Sequence, residues 1–172
     1  MEELSPILAA DFRDQAVLRL SESLEKIRGC MSELDEEAFW YAPNKNSNSA
    51  ATLLRHLQGN IGQYIISGLG GAADHREREA EFTGKAILKR REVEADFFEV
   101  ARKAKDLIQS LPETVLAQRK QVQGFELSGI GIILHVVEHL SYHTGQLVYL
   151  TKQLADVDLG FYKDFDLNQK NE

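Results

Sequence analysis

The chain has 172 residues, of which 43% are apolar and 27% charged, and its net charge is −7 with a pI near 5.3. That composition suits a folded domain and excludes a disordered chain, while an acidic balance without a basic stripe excludes a nucleic-acid surface. A single cysteine, Cys30, rules out an internal disulfide and fits a reducing compartment. Met1, Glu2 and Glu3 lack the basic-then-apolar pattern of a secretory signal. No run reaches the roughly 18 apolar residues that cross a bilayer. The expectation is one cytoplasmic domain over residues 1–172, with its core over about 10–155 and an acidic tail over 156–172.

Only Pro6, Pro43 and Pro112 interrupt the chain, which leaves long intervals open to helix. Phe12, Ala16, Leu20, Leu24, Ile27 and Met31 recur at three- and four-residue steps and predict a first amphipathic helix. Cys30 shares that apolar face, where a buried and inert thiol is expected. Asp35 opens a connection, and residues 43–48 form a turn-rich loop. Ser49 or Ser47 can cap a second helix running to about Ser67, closed by Gly68, Gly70 and Gly71. Residues 73–82 are dense in charge without an apolar period and read as a loop, with His75 facing solvent. Thr83 can cap a third helix with Leu88, Phe97, Ala101, Ala104, Ile108 and Leu111 inward, stopped by Pro112. A long connection follows, with room for an extended piece over Val122 to Leu127. Ser128 opens a fourth helix that ends near Ala155. Four helices with long connections predict an all-α four-helix bundle.

The fourth helix carries the chemistry. His135, His139 and His143 stand four residues apart, each offset by only about 40° and about 6 Å from the next, so their rings line one face. Two histidines at this spacing make a clip for a transition metal, whereas the outer pair lies roughly 12 Å apart along the axis. A mononuclear site would use one adjacent pair and a third ligand from another helix. The second helix offers a polar strip of Thr52, His56, Gly59, Asn60 and Gln63 between Leu53, Leu57 and Tyr64. Polar groups on a core-facing strip need partners, since leaving one buried and unpaired costs about 1–3 kcal/mol. The plainer reading makes His56 a hydrogen-bonded core histidine and the other three an exposed face. Spacing excludes two rival metal designs. No histidine has Glu three residues before it, as di-iron bundles require, and no His-Glu-x-x-His motif exists.

The fourth helix is also apolar nearly all round, which predicts burial nearly all round. Contact with a second copy through Val137, Ser141, Thr144 and Val148 would give it; cover by the C-terminal tail is the alternative.

His135-Val-Val-Glu-His139-Leu-Ser-Tyr-His143-Thr-Gly-Gln146 resembles the last helix of the DinB/YfiT-like superfamily of metal-dependent enzymes. Leu53-Leu-Arg-His56-Leu-Gln-Gly-Asn60 resembles the helix bearing that family's first ligand. Arg76-Glu-Arg78-Glu-Ala-Glu81-Phe82 resembles a segment of one uncharacterised subgroup. The likeness runs in order from about residue 10 to 155. It implies a four-helix bundle of DinB/YfiT type, often dimeric, holding a divalent ion such as zinc or nickel. It also pairs His139 and His143 with His56, leaving His135 one turn away to line the pocket. Three neutral imidazoles leave positions open, so the ion could activate water for hydrolysis or a low-molecular-weight thiol for transfer to a small molecule. His135, Tyr142 and Gln146 are the expected catalytic neighbours, with Glu138 a further proton handler or a partner for a ligand imidazole. The alternative is a non-catalytic dimeric metal- or ligand-binding scaffold related to stress.

Overall fold

The computed structural model describes residues 6–83 and 88–171. Helix α1 spans Pro6–Glu33, with proline in its first turn where its missing N–H costs nothing. Its stripe of Ala16, Leu20, Leu24, Ile27, Cys30 and Met31 is buried. Asp35 caps a short helix, α2 (Glu36–Trp40), by accepting from Ala38 N at 2.8 Å. Of the two serines that could cap the next helix, α3 (Ala50–Ile61), it is Ser49, whose hydroxyl accepts from Thr52 N. Helix α3 passes directly into a wider π-helical segment, Gly62–Leu69, closed by Gly71 at φ 76°.

A four-residue helix, α4 (Arg78–Glu81), precedes α5 (Arg90–Ser110). Here the structure corrects the sequence reading. Helix α5 opens at Arg90 behind Lys89, not behind Thr83, and Leu88 is exposed rather than inward. Thr83 instead ends α4, its hydroxyl donating to Glu79 O. The first residues of the helix expected after Thr83, residues 84–87, lie outside the described ones. Leu111 and Pro112 turn the chain into α6 (Glu113–Ala117). The expected extended piece is a full hairpin, with β1 (Arg119–Val122) antiparallel to β2 (Phe125–Ser128) and Val122 facing Phe125. Gln123 and Gly124 both take positive φ, 52° and 81°, as a two-residue turn that follows strand twist requires. Ser128 then caps α7 (Gly129–Ala155) through Gly131 N, and Asp156 in the left-handed region ends it.

The long helices close a four-membered ring in which α1 packs on α7, α7 on α3, α3 on α5 and α5 on α1. The core between them includes Phe97, Leu54, Leu57, Ile61, Ile108, Ile132, Ile133 and Leu147. No described helix is long and apolar enough to cross a membrane.

Helix α7 does have a wet strip, through Leu134, Glu138, Tyr142, Gly145, Gln146 and Tyr149. On the face expected to meet a second copy or the tail, Ser141 is exposed, Val137 and Val148 are half-buried and Thr144 is buried. Thr144 is only 4% exposed and donates to Leu140 O. Val148 and Lys152 border a shallow cavity together with residues 158–163 of the tail, which reaches α1 through Lys26–Tyr162 and Gly29–Phe161 approaches. The tail thus lies beside the Val148 end of this face, the alternative the sequence reading set beside a second copy.

Candidate metal centre

The α3–α7 contact brings the two helices' polar strips face to face. One ring nitrogen from each of His56, His139 and His143 lies within 4.8 Å of the others, and among the described residues no fourth histidine, cysteine or carboxylate joins the group. His56 Nε2 stands 3.1 Å from His139 Nε2. Two nitrogens bound to one tetrahedral zinc at about 2.05 Å would be about 3.3 Å apart, so this pair already has ligand separation.

Neighbouring side chains decide which nitrogen of each ring is free. Glu81 Oε2 can only accept, so His56 Nδ1 donates to it at 2.8 Å and Nε2 keeps its lone pair. His143 Nδ1 donates to Gln146 Oε1 at 2.8 Å, which again leaves Nε2 free. Two of the three imidazoles are thus held in the tautomer a metal needs. The buried His139 Nδ1 has no partner, and with His56 Nε2 bare the 3.1 Å contact makes His139 Nε2 the donor, a proton that an ion bound here would displace. Burial, then the surrounding imidazoles of His143, His56 and His135 and the Arg76 guanidinium, push His139 down to about 3. Burial also lowers His143, against the opposing pull of Gln146. Both rings are neutral at pH 7, as ligation requires.

Glu81 is the residue the sequence reading missed. It sits in the charged stretch read as a loop, yet it is only 7% exposed. Arg76 Nε and Nη2 donate to its two oxygens at 2.7 and 3.1 Å, and Arg76 Nη1 reaches Gln63 Oε1 at 2.9 Å. Asp74 ties this latch down by accepting from Gln63 Nε2 and Arg76 N. Arg55, one residue before His56, holds the carbonyls of Ala80 and Thr83. Gly59 makes room: a Cβ there would lie 2.1 Å from Glu81 Oε1. A glycine three residues after His56 on the polar strip was the one sequence signal that something approaches that turn closely.

His135 stays outside the trio. Its ring is stacked between Tyr64 at 4.2 Å and His139 at 5.6 Å, and its Nε2 lies 3.3 Å from Asn60 Nδ2. Tyr64 is itself anchored by donating to Gln123 Oε1 on the hairpin turn. Tyr142 is 64% exposed with its ring edge-on to His143, and the Gln146 oxygen is occupied by His143. Glu138 is exposed, and so is His75, which takes no part in the centre.

Residues 8–162 match the sequence profile of a family described as "Protein of unknown function (DUF1572)". No curated protein matches the chain. Among solved structures, the crystal structure of a DinB-like protein, YjoA, from Bacillus subtilis shares the fold with a TM-score of 0.66 at 18% identity. The match covers 86% of this chain and 97% of that one. The resemblance to DinB-like proteins expected from the sequence is therefore shown at the level of the fold.

Proposed function

The chain belongs to the DUF1572 family, whose function is unknown, and from its histidine centre we propose that it is a metal-dependent enzyme acting on a small molecule. His56, His139 and His143 would hold a divalent transition ion, zinc or nickel. The observation that carries this reading is the pair of ring nitrogens, His56 Nδ1 and His143 Nδ1, turned outward onto Glu81 and Gln146 so that their free nitrogens converge. A closed structural site would have a fourth protein donor. His135, the residue best placed to supply one, is engaged with Asn60 and Tyr64 instead.

An ion at this position would supply Lewis acidity near neutral pH, enough to activate water for hydrolysis or a thiol for transfer. The chain's own groups do the rest. Glu81 and Gln146 orient ligand rings. His135 presents a neutral imidazole beside the centre, since burial lowers its pKa against the pull of Glu138. Tyr142, exposed and edge-on to His143, is placed to orient a bound molecule.

The test is elemental analysis of protein purified without a histidine tag, followed by hydrolytic and thiol-transfer assays on metal-loaded and stripped samples. About one equivalent of zinc or nickel, with activity that follows it, supports the reading. Protein that takes up no divalent ion overturns it.

A further inference from the structure

A groove of about 820 Å³ runs between the loop over residues 41–48 and the C-terminal half of α7. Its size is that of a small-molecule site, which typically spans about 300–1,000 Å³. Three tyrosines border it: Tyr41 from the loop, and Tyr142 and Tyr149 two turns apart on the wet strip of α7. Tyr142 and Tyr149 are 64% and 68% exposed, so their rings are open to a ligand. Asn44 and Asn46 face them across the groove with Gln146 and Gln153 on the α7 side, all amides that both donate and accept.

What the groove lacks is as informative. None of the fourteen described residues lining it is charged, in a chain where 27% of residues are. A carboxylate or phosphate lying in the groove would find no cationic side chain among its lining residues to replace the water it loses. Planar uncharged groups find ring faces for stacking and amides for paired hydrogen bonds. Gln146 connects the groove to the histidine centre, because its side chain lines one and holds His143 of the other. Tyr142 does the same through its ring contact with His143.

We propose that this groove is the substrate subsite of the centre and takes an uncharged, planar, amide-bearing small molecule. The inference rests on the proposed enzyme reading for the word substrate, and on the groove alone for the ligand class. Anionic thiols are thereby poor occupants of the groove itself.

The test uses three matched probe pairs: nicotinamide against nicotinate, benzamide against benzoate, and N-acetyltyrosinamide against N-acetyltyrosine. Each is titrated into the full-length protein, metal-loaded and metal-stripped, while backbone amide resonances are followed by NMR. The amides should shift Tyr41, Asn44, Asn46, Tyr142 and Tyr149 and, in the metal-stripped protein, bind about tenfold tighter than their carboxylate partners, since no lining side chain offsets a carboxylate's lost hydration. Tyr149→Ala, an exposed position that the fold tolerates, should weaken the amides and leave metal content unchanged. The proposal is overturned if the carboxylates bind equally well, or if no amide shifts these residues. It is also overturned if the same resonances move with protein concentration alone, which would make a second copy the occupant. Because the stripped sample reports the groove without the ion, groove binding in protein that takes up no metal would refute only the metal reading. Metal uptake without amide binding would refute only the groove.

Discussion

Replacing Glu81 by Gln removes one charge from a buried pair while keeping its shape, which makes it the sharpest probe of how His56 is held. Glu81 now accepts from His56 Nδ1 at 2.8 Å and from Arg76 at 2.7 and 3.1 Å. All of these neighbours are donors, and a glutamine has only one accepting oxygen. Either its oxygen faces Arg76 and its NH₂ opposes the His56 N–H, or the reverse. In the first case His56 is pushed toward the other tautomer, with its proton on the nitrogen a metal needs. Loss of such a partner typically costs about 10- to 100-fold in metal affinity, or roughly 1.4–2.7 kcal/mol. The assay is a competitive titration of zinc against a chromophoric chelator at pH 7.5, with urea unfolding of the metal-free protein run alongside. Glu81→Ala is the wrong variant, since it strands the buried Arg76 guanidinium and threatens the fold by about 3–5 kcal/mol. Zinc affinity of Glu81→Gln within twofold of the native protein would refute the idea that this carboxylate positions a ligand.

Further outcomes follow from the same geometry. His143→Ala should lose stoichiometric metal while His135→Ala keeps it, as read by elemental analysis; the opposite pattern would move the site one turn along α7. Gly59→Ala should drive Glu81 out of its seat, at about 1–3 kcal/mol for overpacking, and speed hydrogen exchange over residues 76–83. The depressed pKa values of His139, His143 and His135 mean that the fold keeps these rings neutral while the unfolded chain takes up protons below about 6.5. This contribution to metal-free stability is complete above pH 6.5 and is lost as pH falls toward the His139 value of about 3. Urea midpoints should therefore drop between pH 7 and pH 4, less steeply in His139→Ala, and an equal slope in both proteins would count against it. Cys30, fully buried and with its thiol pushed up by burial, should resist thiol reagents until denaturant is added.

The bundle and the shared histidine face of α7 could be read from the sequence because both rest on local spacing, while the choice of His139 and His143 with His56 came from the likeness to the DinB/YfiT-like superfamily. Ser49 and Ser128 announce helices α3 and α7 by capping chemistry, and the four-residue histidine step fixes a shared face whatever the packing. Glu81 could not be read this way. Its role comes from a tertiary approach to Gly59, and within a stretch dense in charge one buried carboxylate has no period to mark it. What lies over the Val137–Val148 face of α7 was left open between a second copy and the tail for a related reason. The tail lies beside Val148, and its contacts with α1 come from single residues, Phe161 and Tyr162, rather than from a repeating pattern. The hairpin was glimpsed only over its last half because Arg119 to Gln121 carry no apolar alternation.

X-ray absorption spectroscopy at the edge of the bound ion tests the central claim most directly. The account predicts three imidazole nitrogens at about 2.0–2.1 Å, with the remaining positions filled by light oxygen donors that an added small thiol can replace. Four protein ligands, a carboxylate among them, or a coordination sphere that no added molecule perturbs, would contradict it.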